Sequence, residues 1–164
     1  MANEVLVKPG TPITFKDSGG SAAITLNALG FGTGRVSAQY DKGAGAQEAW
    51  FHVHAVIQFD SAPVIGETVE VYIVNHDGTL IPGGLGAVDA AVTVANKRNN
   101  LHCPLIVISA EAATADLNYE ATGLAYCPMR YISVMVWNGS AGDNLQATNN
   151  INVITLTPLV DEIQ

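Results

Sequence analysis

Charge is the scarcest property of this 164-residue chain: 13% of its residues are charged, about half the ~25% of an ordinary soluble domain. Basic residues are the scarcer sign, with 7 Lys and Arg against 15 Asp and Glu and a net charge of −8. Nucleic acid and anionic membrane surfaces are recognised through a basic footprint, so the composition excludes both as partners. Long apolar runs are also missing. The best, Leu105-Ile106-Val107-Ile108, falls far short of the roughly 20 residues that span a bilayer. The opening Met-Ala-Asn-Glu-Val has neither the basic nor the apolar region of a secretory signal, so the expectation is a soluble protein made in a cytoplasm and not exported by the secretory route. There are only two cysteines, Cys103 and Cys127, each followed by proline. In a reducing compartment they read as free buried thiols, with a disulfide as the alternative.

Catalytic motifs are lacking too. There is no Gly-x-Ser-x-Gly elbow and no His-Glu-x-x-His helix. The glycine runs Gly30-Phe31-Gly32-Thr33-Gly34 and Pro82-Gly83-Gly84-Leu85-Gly86 lack the Gly-Lys-Ser/Thr ending of a phosphate loop and read as turns. Glu67 and Glu70 read as a solvated strand edge rather than an acid/base couple. His52 and His54 are the sharpest metal-like feature, because residues i and i+2 of a strand share a face. Two ligands leave zinc incomplete unless His76, His102 or a cysteine converges on them. The expectation is no metal, no cofactor and no enzyme.

What is present is a β pattern. Phe51, Val53, Ala55, Ile57 and Phe59 alternate with Trp50, His52, His54, Val56 and Gln58, so the odd positions face a core. Val69, Val71 and Ile73 alternate in the same way before an Asp77-Gly78 turn. Further strands are expected over 35–41, 103–109, 123–126, 130–137 and 151–156, before a short tail carrying Asp161 and Glu162. Residues 79–100 read as a loop with room for a short helix, since Leu85, Val88, Val92 and Ala95 fit a helical stripe while Ala91-Val92-Thr93-Val94 fits a strand. Many short strands without α/β alternation predict an all-β fold, a β-sandwich of jelly-roll type over residues 34–164. Residues 1–33 are broken by Pro9-Gly10, Pro12 and Gly19-Gly20, carry Lys8 and Lys16 against Glu4, and read as an extended N-terminal arm outside the sandwich core.

Three stretches carry a resemblance. They are Gly34-Arg35-Val36-Ser37-Ala38-Gln39-Tyr40-Asp41 before a Gly-Ala-Gly turn, Phe59-Asp60-Ser61-Ala62-Pro63-Val64 leading to Glu67-Thr68-Val69-Glu70-Val71-Tyr72, and Arg130-Tyr131-Ile132-Ser133-Val134-Met135-Val136-Trp137-Asn138. Together, over roughly residues 34–158, the chain resembles capsid decoration (cement) proteins of tailed bacteriophages with a jelly-roll fold. The resemblance implies a structural virion protein on the outer capsid surface, bound between capsomers as a homotrimer, with the major capsid protein as partner and no catalytic residues. An apolar surplus with few charges suits an assembly interface. The residues expected at a subunit or capsid interface are Val5, Val7, Ile13 and Phe15 in the arm and Trp50, His52, His54 and Tyr72 in the body. The alternatives are a carbohydrate-binding or tail-associated β-sandwich module, with Trp50, Tyr72 or Trp137 as sugar-stacking platforms, and a cupin-like metal enzyme built on His52 and His54.

Overall fold

The computed structural model describes residues 5–44, 48–79, 85, 87–99 and 104–163. Within them the chain is nearly all β, as the alternation predicts, in two six-stranded sheets. The first contains β1 (Val5–Pro9), β2 (Ile13–Lys16), β3 (Ala22–Ala23), β6 (Trp50–Ile57), β10 (Tyr119–Tyr126) and β12 (Val153–Ile163). Its order is β10-β6-β12-β2-β3, with β1 on the far half of β12. The second contains β4 (Thr33–Val36), β5 (Tyr40–Asp41), β7 (Thr68–His76), β8 (Ala90–Val92), β9 (Pro104–Ser109) and β11 (Tyr131–Asn138). Its order is β8-β4-β11-β7-β9, with β5 also on β11. Pairing is antiparallel except between β2 and β3.

Eight of these strands pair outermost with outermost: β2 with β12, β4 with β11, β6 with β10 and β7 with β9. The chain therefore closes on itself like a long hairpin rolled into two layers. Between the layers lies one core, in which Phe51, Val53, Ala55 and Ile57 of β6 and Ile154 and Leu156 of β12 meet Val69 and Val71 of β7 and Ile132, Val134 and Val136 of β11.

A second apolar cluster covers the opposite side of the second sheet. Val36, Tyr72, Val74, Met135 and Trp137 point away from the main core and cluster with Ala90 and Val92 of the neighbouring edge strand β8 and with Leu85. β11 is thus buried on both faces, which explains its unbroken run Ile132-Ser133-Val134-Met135-Val136-Trp137. Within residues 79–100 the described part holds a strand at Ala90–Val92 and a short helix, α1, at Val94–Asn99, which includes only Ala95 of the expected helical stripe. Gly34 sits between its cross-strand neighbours in the second sheet: a Cβ there would lie 2.6 Å from both Trp137 of β11 and Val92 of β8.

Three expectations change. The strand expected over 35–41 is interrupted, because Val36 pairs with Met135 and Tyr40 with Ile132, so three residues oppose two. This is the signature of a bulge, and Ser37 fills it, its N–H donating to Val134 O and its Oγ accepting from Val134 N–H. The tail after Leu156 is part of β12, which runs on to Ile163 and pairs with β1 from Pro9↔Leu159 to Val5↔Ile163. Glu67 is buried rather than a solvated edge, its carboxylate accepting from the N–H groups of Val64 and Ala141.

The N-terminal arm needs the largest correction. Ile13, Phe15, Ala22, Ile24 and Leu26 belong to the main core cluster, because the β2–β12 ladder, Phe15↔Ile154 to Ile13↔Leu156, carries their side chains between the layers. Ile13 and Phe15 are therefore core residues in this chain and not surface contacts. Proline and glycine shorten the strands of this segment without removing them from the sheet. β1 extends the first sheet along the end of β12.

If this segment is integral, Phe15→Ala should lower unfolding stability by about 3–5 kcal/mol, the cost of a large aromatic deletion in a core. Val7→Ala should stay within roughly 0.5 kcal/mol, as for an exposed site. Urea denaturation of both variants measures the contrast, and similar small losses for the two would return residues 13–15 to a peripheral arm.

Candidate functional site

The two sandwich faces are unequal. On the outer side of the second sheet Tyr72, Met135 and Trp137 are buried in a cluster with Leu85 and Val92, whereas the outer side of the first carries the large exposed apolar side chains of its strands. Alternation along β6 puts Trp50, His52 and His54 there, opposite the buried Phe51, Val53 and Ala55. Alternation along β10 does the same for Leu124 and Tyr126 around the buried Ala125. The register sets Trp50 beside Tyr126 and His52 beside Leu124. Trp50 is 52% exposed, Tyr126 58% and Leu124 59%, and the rings of Trp50 and Tyr126 meet at 4.9 Å between centroids, tilted by 46°.

This patch runs into a cleft. Pro158 is the last β12 residue paired with β6, opposite Phe51. Beyond it β12 is paired on its other edge alone, with β1, which follows β2 there from Leu159 onward. The parted strands leave a cleft of about 420 Å³ lined by Glu48, Ala49 and Trp50 on one side and Val7, Leu159, Val160 and Asp161 on the other. Val7, at 61% exposure, is thus part of the same surface. Of Val5, the structure describes only the backbone, paired with Ile163.

Lys42 anchors the near wall. Its ammonium donates to the carbonyls of Glu48 and Cys127, at 2.9 and 2.6 Å, and lies 5.5 Å from the centroid of the Phe51 ring. Burial pulls its pKa down against the attraction of Cys127 and Glu48. Cys127 N–H donates to Ala49 O at 2.6 Å, completing the fastening. A smaller cavity of about 210 Å³, between Ile13, Phe51 and Pro158 and the side chains of Tyr40 and Lys42, lies on the inner side of this wall. Burial pushes the Cys127 thiol up to about 12, although Lys42 draws it down, so it is a structural thiol. Cys103 and His102 lie outside the described residues.

His52 and His54 share a face, as their spacing requires, but His54 Nε2 is taken up by Glu120 at 3.1 Å. His76 is on β7 in the other sheet, nearly buried and stacked on Tyr131 with centroids 5.7 Å apart. Its pKa is lowered by burial, against a small opposing effect of Asp77. Among the described residues no three His, Cys, Asp or Glu side chains are grouped as metal ligands.

Tyr72 and Trp137 are corrections. They are 1% and 7% exposed, in a cluster with Leu85 and Val92, and neither can serve as an interface residue or a sugar platform. Sequence reasoning passed over Leu124, Tyr126, Glu48 and Asp161. The alternation around Ala125 signals the first two, but nothing local signals the carboxylates, which come together only where β12 leaves β6. Comparison with known proteins adds no assignment: no family model, curated protein or solved structure matches the chain.

Two measurements check this electrostatic picture. Arg130 donates to both Asp41 oxygens at 2.7 Å; this pair, helped by Gly43 N–H, holds the Asp41 carboxyl down at about 2. A folded pKa below the unfolded value means that stability is present above about pH 4 and lost as pH falls toward 2. Asp41→Asn should therefore be less stable than the parent at neutral pH, with the gap closing over that window in acid denaturation curves; a constant gap would mean that the ion pair is not its source. Cys127 should also resist alkylation at about pH 8 until the protein is unfolded. Peptide mapping after iodoacetamide treatment reads this directly, and rapid native labelling at Cys127 would contradict the burial.

Proposed function

We propose that this protein is a structural assembly protein, a jelly-roll sandwich that decorates and stabilises the outer surface of a tailed-phage capsid. It binds there between capsomers as a trimer, with the major capsid protein as its partner and no catalytic role. The observation that carries the reading is the outer face of the first sheet, which presents Trp50, Leu124, Tyr126 and Val7 together, whereas Tyr72 and Trp137 on the outer side of the second are buried. Contiguous exposed apolar surface rimmed by polar residues marks an interaction site. Three further points support it. First-with-last strand pairing in two layers is in keeping with a jelly roll. The acidic, charge-poor composition suits an interface and not nucleic acid. The likeness to decoration proteins spans residues 34–158. The attachment assigned to the arm narrows to β1 and the patch beside it.

The second reading, a carbohydrate-binding or tail-associated module, now rests on one platform. Trp50 keeps it in view, because its indole is half exposed at the edge of a cleft and aromatic rings are ready stacking surfaces.

Native mass spectrometry of the purified chain and imaging of shells incubated with it test the assembly reading. A trimer in solution or on the shell is the expected result, and Trp50→Ala should weaken association about thirtyfold, as for a central aromatic worth ~2 kcal/mol. A monomer that fails to bind the shell defeats the proposal, and saturable binding to an oligosaccharide by that monomer would establish the second reading instead.

A further inference from the structure

The cleft where β12 leaves β6 has a chemistry of its own. Its walls combine one aromatic face, Trp50, with two aliphatic side chains, Val7 and Leu159, and two carboxylates, Glu48 and Asp161. Trp50 is held against Tyr126, so the ring does not have to be ordered when something binds, and preorganisation of that kind favours affinity. Among the described residues neither carboxylate accepts a hydrogen bond. Lys42, fastened to this wall, gives its hydrogen bonds to backbone carbonyls, of Glu48 and Cys127, and not to the Glu48 carboxylate. β12 residues Leu159–Asp161 pair with β1 on one edge and have no described partner on the edge facing the cleft.

We propose that this cleft receives a cationic side chain, a lysine or arginine presented by the partner protein. An aromatic face attracts a cation through its quadrupole. Carboxylates beside the face complete the charge pairing, while Val7 and Leu159 pack against the apolar stem that Lys and Arg both carry. The whole chain, at −8, concentrates cations and repels anions. A neutral sugar gains nothing from that field, and an anionic ligand loses by it. The proposal deepens the assembly reading by naming the chemistry that the partner must offer, and it rests on that reading.

Titration of the full chain with capped Gly-Lys-Gly and Gly-Arg-Gly tripeptides, followed by amide NMR shifts, tests it without any shell. Norleucine and glutamate tripeptides and cellobiose serve as the comparison ligands. The expected result is saturable binding of the cationic peptides alone, in about the millimolar range for one side chain, weakening as salt rises. The shifts should centre on Glu48, Trp50 and Asp161. Glu48→Gln with Asp161→Asn should reduce affinity at least about fivefold while the spectrum stays folded, in line with the loss of an exposed charge pair. Absence of saturable binding, affinity unchanged in the double variant, or equal binding of norleucine or cellobiose would overturn the proposal. Shell attachment that persists after such a result would leave the assembly reading standing without this contact.

Discussion

The ladder between β2 and β12 is the constraint on which the rest of the molecule depends. It joins a strand near the beginning of the chain to the one near its end, Phe15 to Ile154 and Ile13 to Leu156, and so closes the roll that the other outermost pairs nest inside. Closure at such sequence separation is costly in chain entropy. It is offset by burial, since Phe15, Ile24 and Leu26 are completely enclosed once the ladder forms. The same pairing fixes β12 between β2 and β6, so its even residues enter the core and its odd residues face outward.

From that placement the surface follows. β12 is longer than either β2 or β6, and its last residues run past the end of β6. Pairing with β6 stops at Pro158, while the other edge of β12 passes from β2 to β1. Beyond it the chain termini pair with each other as β1 and the end of β12, and the cleft is the space between this ribbon and the start of β6. On the opposite sheet Tyr72 and Trp137 are buried in a cluster with Leu85, Ala90 and Val92, whereas Trp50 and Tyr126 on the outer face of the first sheet stay in solvent. Surface asymmetry is thus a result of where the outward aromatics of each sheet find apolar neighbours.

Polar side chains fasten the loops that frame these faces. Asp89 illustrates the balance. Burial raises its pKa, but bonds from Arg35 and from Thr25 prevail and keep it ionised, holding the segment before β8 against β4. Lys42 plays the corresponding part at the cleft by capping two carbonyls at the end of β10 and the approach to β6. Each connects a loop to a strand far away in sequence, which ties the position of the surface to the integrity of the sandwich.

By itself, the sequence determined the strand content, the inward faces of β6 and β7, and the acidic, charge-poor character that bears on partners. These are set by side-chain period and composition, which are local properties. Only the tertiary structure decided which outward faces stay outward. Tyr72 and Trp50 alternate in the same way along their strands, yet one is buried in a cluster with residues more than ten positions downstream and the other is not. Ile13 and Phe15 sit among breakers that read as an arm, and their burial depends on a partner strand about 140 residues later. Glu48 and Asp161 share a cleft for the same reason: the outermost strands of the chain meet, and period-two patterning along any one strand carries no information about its neighbour.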